Sequence, residues 1–385
     1  MPSYNKLGEV PHKRHTQFRQ PDGSLYSEEL FGEEGFSGVY SLLYHKFPPT
    51  RVSRIERHGA FCQQEWSQPT HRHHHMLTGD IPAEGDIVDG RRTLMYNGDC
   101  VISVARPTQP MSYFYRNAQG DELLFAHEGS GALETTFGLL TYSPGDYLLV
   151  PRGTTWRVLP EAGEQRFLIV EAYGGDIRTP KRYRNEFGQL LEHSPFCERD
   201  LRAPAELPQH DERGEYEVRI RVNGEVMSYF YDFYPLDLVG WDGYLYPYAF
   251  SIHDFEPITG RVHQPPPVHQ TFEGPGFVVC SFCPRKLDYH PESVPIPYNH
   301  SNIDSDEMIY YVSGNFGSRR GVGTSSITLH PRGIPHGPQP GLVEKSLGAE
   351  RTDELAVMVD TFRPLKLGAD AEKLDDPKYP FSWLD

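Results

Sequence analysis

The sequence is short of positive charge, long apolar runs, cysteine and helical periodicity, and each shortage removes a class of protein. Its 37 Lys and Arg residues face 53 Asp and Glu, a formal net charge of −16. That is the wrong sign for a surface that holds nucleic acid by its phosphates. No stretch approaches the ~18 apolar residues of a membrane-spanning helix. The opening residues, MPSYNKLGEVPHKRH, hold no apolar core of a secretion signal. Five cysteines, at 62, 100, 197, 280 and 283, form an odd and scattered set. They are expected as reduced thiols of a cytoplasmic protein. Cys280 and Cys283 lie in the apolar run FVVCSFC with no second pair beside them, so they read as strand core and not as a zinc or redox site. Neither a dinucleotide fingerprint nor a phosphate loop is present, and no organic cofactor is expected. Helical periodicity is confined to residues 184–193 and the last twenty.

What is abundant is the material of strands and turns. Short aromatic and β-branched runs such as DYLLVP, RFLIVEAYG, EVMSYFYDFYP, GFVVCSF and ELAVMVDTFRP alternate with turns drawn from 36 glycines and 34 prolines. That pattern predicts an all-β protein built from antiparallel sandwiches or barrels.

Two stretches share one skeleton. Residues 115–129 read YRNAQGDELLFAHEG and residues 300–314 read HSNIDSDEMIYYVSG, with Asn, Glu and Gly at the same spacing. Each is followed by a Pro-Arg-Gly turn, at 151–153 and 331–333. One copy offers Tyr115, Glu122 and Trp156, and the other offers His300, Glu307 and His336. Two β-barrels in one chain follow. Residues 1–258 form an N-terminal arm and a vestigial domain, and residues 259–385 form the catalytic domain. The boundary falls in EPITGRVHQPPP, whose three prolines make a stiff lead-in.

Two imidazoles and one carboxylate on one face of a coordination sphere leave other positions open. That is the donor set of non-haem Fe(II) sites at which substrate and dioxygen share the metal. Zinc accepts similar ligands, usually with four-coordinate geometry. Iron is the first expectation and manganese the second. Tyr115 and Trp156 are expected to fill the corresponding space in the silent copy. The cluster His71-Arg72-His73-His74-His75 reads first as a polar surface or interface segment, since adjacent strand residues point to opposite faces and cannot all join one compact site, and second as a contribution to a pocket wall. Asp304 and Asp306 read as parts of a solvated loop.

The spacing resembles the metal-binding plan of cupins, jelly-roll barrels in which His, His and Glu precede a Pro-x-Gly turn and a further His. Here Asn302 stands where the second His falls. The segments YNHSNIDSDEMIYYVSGNFG and LHPRGIPHGP further resemble the metal region of homogentisate 1,2-dioxygenases. KRHTQF, GSLYSEELFGEEGFSG and GWDGYLYPYAF are similar to that family's N-terminal arm and mid-chain pattern.

The resemblance implies Fe(II) held by His300, Glu307 and His336, His269 as proton acceptor, and His330 at the iron pocket. Substrate contacts would involve His269, Phe316, Arg319, His330 and His336, with Arg319 and Arg320 hypothesised as partners of a substrate carboxylate. It also implies a small aromatic substrate with O2, ring cleavage of homogentisate to maleylacetoacetate in tyrosine and phenylalanine catabolism, and a homo-oligomer, trimeric or hexameric. Two departures stand out. His300 lies one residue further from Glu307 than is usual, and Phe316 stands where the family has a tyrosine. These leave room for a related hydroquinone such as gentisate, or a quinol of specialised metabolism. A metal-dependent isomerase or hydrolase, and a metal-binding module without activity, are the readings from other classes.

Overall fold

The structure, a computed structural model, describes residues 3–384. The apolar-polar alternation of the runs becomes strands in sheets of eight, seven, six, four and two strands. The all-β expectation holds: the described α-helices are the short segments Leu342–Ser346 and Ala369–Leu374. Residues 184–193 do not form a helix. Asn185 turns the chain back by accepting the backbone N–H groups of Phe187 and Gln189, at 3.0 and 3.1 Å. An Asn side chain that bonds its own following backbone competes with helix formation. Among the described residues no helix is long and apolar enough to cross a membrane.

The six-stranded sheet carries the C-terminal repeat. Its strands run in the order Gln270–Gly274, Phe277–Phe282, Leu355–Thr361, Asp306–Ser313, Ile327–His330 and His74–Met76. The last of these comes from the N-terminal part of the chain. In return, Lys366–Leu367 pairs with Arg92–Tyr96 at the edge of the eight-stranded sheet. Two strand exchanges therefore cross residue 258.

Period-two alternation gives the six-stranded sheet two unlike faces. Met308, Tyr310, Val357, Val359, Val279 and Leu329 are buried in one core with Tyr147, Leu168 and Phe250 of the N-terminal half. Tyr147 donates to or accepts from Ser281 across that junction at 2.9 Å. Each such aliphatic or aromatic burial contributes roughly 1.5–3 kcal/mol. The opposite face presents a row of direct cross-strand partners, Val278, Asp360, Glu307 and His330. The packed face sets the register, and the register puts the polar row on the other side.

Candidate metal centre

The turn chemistry of the repeat assembles this site. Asp306 opens its strand and accepts the backbone N–H and Nε of Arg332 at 2.9 and 3.0 Å through Oδ1. Its Oδ2 accepts the Leu365 N–H at 2.7 Å. Asp306 is buried, so the solvated-loop expectation is corrected: it clamps the Pro-Arg-Gly turn. Asp304 is exposed as expected. Gly333 adopts φ 75°, the left-handed region where a side chain is strained. Its N–H donates to the Asn302 carbonyl at 2.7 Å. His300 and His336 then exchange backbone hydrogen bonds of 2.8 and 2.9 Å.

The structure brings His300, Glu307 and His336 together. One ligand atom from each lies within 4.8 Å of the others. His300 Nε2 is 3.6 Å from Glu307 Oε2 and His336 Nε2 is 3.3 Å from Oε1. Burial alone would push the Glu307 carboxyl up, but the imidazoles of His300, His330 and His336 around it outweigh that and hold it well below the usual range. His336 Nδ1 faces the Ile334 carbonyl at 3.5 Å, the arrangement that puts the proton on Nδ1 and a lone pair on Nε2. That Nε2 is buried without a hydrogen-bond partner. An orphaned imidazole nitrogen aimed at an ionised carboxylate is the local chemistry of a cation site. These three residues can hold a metal ion.

The other residues expected at the site are placed as follows. His330 is fully buried, with Nδ1 2.9 Å from Glu307 Oε1 and Nε2 3.1 Å from the Tyr379 hydroxyl. Since a carboxylate only accepts, Nδ1 donates to Glu307 and Nε2 accepts from Tyr379. Burial lowers His330 to about 3 despite the Glu307 bond. With both nitrogens engaged, His330 orients Glu307. His269 is buried against Phe282 with its Nδ1 unpartnered, and burial lowers it to about 3. Phe316 is buried edge-on to Tyr311, ring centres 4.7 Å apart. Arg319 donates from Nη1 to the carbonyls of Gly337 and Ser318, at 2.7 and 3.1 Å, and lies over the Trp383 ring. Arg320 is exposed and bonds the Pro340 carbonyl.

The histidine cluster is the main correction. His73, His74 and His75 are buried, and only His71 is exposed. Alternation does hold within the cluster. His73 packs against His330, His336 and Trp383, and His75 against Tyr379. His74 turns the other way, towards Trp66 and Asp375. The wall formed by His73, Tyr379 and Trp383 had one visible signal, the density of histidine. Nothing in the sequence tied that cluster to the tail.

The silent copy has the same frame and a different filling. Asp121 clamps Arg152 as Asp306 clamps Arg332, and the Gly153 N–H reaches the Asn117 carbonyl at 2.8 Å. Tyr115 and Trp156 are register partners, as His300 and His336 are. Their rings pack edge-on at 5.3 Å in full burial, as expected. Glu122 is bonded to Arg91 at 2.6 Å, and its cross-strand partner Glu171 is bonded to Arg221 at 2.8 Å. Two guanidinium groups supply the positive charge there.

A duplicated β framework with one His/Glu/His cluster and one Arg-filled counterpart defines a class of β proteins with a candidate metal site in one half. A family model described as "Homogentisate 1,2-dioxygenase N-terminal" matches residues 43–252. A homogentisate 1,2-dioxygenase of Emericella nidulans is 30% identical, covering 94% of this chain and 83% of that protein. The chain belongs to the homogentisate 1,2-dioxygenase family and is a dioxygenase. A Saccharolobus solfataricus protein provisionally named a dioxygenase is 45% identical, covering 99% of this chain and 98% of that one. Among solved structures, a cupin barrel protein from Leptotrichia buccalis aligns over 78% of this chain and 100% of its own, at 9% identity and a TM-score of 0.33.

Proposed function

We propose that this chain is an Fe(II)-dependent ring-cleaving dioxygenase that converts homogentisate and O2 to maleylacetoacetate. The observation that carries the reading is the orphaned Nε2 of His336 facing Glu307 beside His300. Iron held by those three side chains would supply neighbouring open positions for a phenolic oxygen and for dioxygen. His330 keeps Glu307 ionised and oriented by donating from Nδ1. His269 stays neutral by burial, and in that form an imidazole takes the proton of a substrate hydroxyl. Arg319, within the wall that includes Trp383, is the cation for the substrate carboxylate. His73 and Trp383 shield the buried side of the ligand set.

A second reading keeps the chemistry and changes the quinol. Phe316, where the family has a tyrosine, buries its ring against Tyr311 and offers no hydroxyl. A site that lacks a hydrogen-bonding group discriminates less sharply among hydroxylated analogues. The test is anaerobic reconstitution with Fe(II), followed by oxygen uptake with homogentisate and with gentisate. Stoichiometric O2 consumption with homogentisate is expected. Faster consumption with gentisate would move the assignment to the second reading. Turnover without O2 would replace both by an isomerase or hydrolase.

A further inference from the structure

Asp360 stands directly across the strands from Glu307, and direct partners in an antiparallel pair project on the same face. Its Oδ1 is buried with no hydrogen-bond partner. A buried carboxyl oxygen without a partner is unfavourable; Glu122 Oε2 in the other half is likewise unpartnered, but its carboxyl is neutralised by Arg91, so what Asp360 lacks is a cation.

The silent copy indicates what that cation balances. The equivalent strand positions there are Glu122 and Glu171, also direct partners and also both acidic. Arg91 bonds both of them, at 2.6 and 3.1 Å, and Arg221 adds a second cation at Glu171, at 2.8 Å. At the C-terminal pair, among the described residues, no Lys or Arg forms an ion pair with either Glu307 or Asp360. His330 donates a hydrogen bond to Glu307, and no histidine donates one to Asp360 Oδ1. Two buried carboxyl groups side by side without a cation are unfavourable, and a divalent ion carries the charge that two guanidiniums carry in the other half. Asp360 also falls outside the three residues whose ligand atoms converge, so it does not complete the coordination sphere.

We infer that Asp360 is an outer-sphere carboxylate of the metal centre, accepting a hydrogen bond from the water or hydroxyl group held at an open coordination position. This rests on the metal reading of His300, Glu307 and His336. Asp360 is a positioning residue on this view, and its effect is on metal retention and on the bound water. It contributes no ligand atom.

The experiment compares wild type, Asp360→Asn and Asp360→Leu, using Co(II) as the probe under anaerobic conditions. Metal affinity is read from visible absorption, and thermal melting is recorded for metal-free and Co(II)-loaded protein. Loss of an outer-sphere partner of a metal site typically weakens affinity by about 10–100-fold, and that is the expected result for both variants. The metal-free variants should melt at or above the wild-type temperature, because a buried carboxyl without a cation beside Glu307 has been removed. The Co(II) absorption of wild type should also shift with pH as bound water loses a proton, with a displaced midpoint in Asp360→Asn. Unchanged affinity, or a metal-free melting temperature that falls in both variants, overturns the inference and makes Asp360 a packing residue. Failure of the wild type itself to bind Co(II) would overturn the metal reading first and this inference with it.

Discussion

His300 and His336 are joined backbone to backbone by two hydrogen bonds, 2.8 and 2.9 Å long, although they come from different loops. Their rings lie 4.2 Å apart, centre to centre. The same register in the other half joins Tyr115 to Trp156. The bridge is thus part of the repeated framework, and the pair of residues seated on it is a candidate ligand pair in one half and an aromatic plug in the other. Glu is common to both copies, so its meaning depends on what surrounds it.

That distinction predicts opposite behaviour for two glutamates in equivalent positions. Glu307→Ala should abolish metal retention, as should His300→Ala and His336→Ala, with folding preserved. Glu122→Ala should retain the metal in whatever fraction folds. It should lose stability by about 3–5 kcal/mol, because Arg91 is left buried with half its pairing gone. Metal content by elemental analysis and urea denaturation of the metal-free forms separate the two. Equal metal content in Glu307→Ala and wild type would refute the ligand assignment.

The frame of this site was legible in the sequence because its contacts are short in range. Asn302, Gly333 and the three candidate ligands lie within a few dozen positions, and turn chemistry fixes each locally; the clamp by Asp306 escaped because its partners Arg332 and Leu365 lie 26 and 59 positions on. The wall around it was not legible. His73 reaches the Pro335 carbonyl from 262 positions away, and Tyr379 reaches His330 from 49. No local pattern predicts a strand donated across the chain, so alternation correctly separated His73 and His75 from His74 without showing which sheet received them. Arg91 and Arg221 were invisible for the same reason: each meets its glutamate only after the sheets assemble.

The hydrogen-bonded chain from Tyr379 through His330 to Glu307 carries a graded prediction. Tyr379→Phe removes the proton donor to Nε2 and should cost about 1 kcal/mol, the usual worth of one such bond. His330→Leu removes the donor to the carboxylate and should weaken metal binding by about 10–100-fold. Co(II) titration of both variants gives the order. A larger loss in Tyr379→Phe than in His330→Leu would show that the tail acts on the centre by another route.

Arg319 is tied down by the Gly337 and Ser318 carbonyls and lies over Trp383, while its Nε is buried without a partner. A guanidinium whose Nε–H is unengaged can still receive a carboxylate. Arg319→Met should raise KM for homogentisate by about 10–100-fold, the worth of a hydrogen bond to a charged group. KM for unsubstituted hydroquinone, which lacks the carboxylate, should barely move. Equal effects on both substrates would assign Arg319 to holding the loop and tail.

The pH dependence of stability should be set in part far from the metal, at His45. Burial would lower its pKa, but hydrogen bonds to Asp237 at 2.7 Å and Glu29 at 2.8 Å outweigh that and raise it to about 9. A raised histidine stabilises the folded state fully below its unfolded value and loses that contribution as pH rises through the folded value. The contribution is about 3 kcal/mol, from a shift between about 6.5 and about 9. Denaturant melts of wild type and His45→Gln at pH 6, 7.5 and 9.5 should therefore converge as pH rises, with the variant less stable at pH 6. Taking the difference between the two proteins removes other groups that titrate nearby, such as Glu33, which burial and Asp176 raise to about 8. A constant gap across the three pH values would mean that His45 is held neutral between its carboxylates, and that the stabilising contact there is not an ion pair.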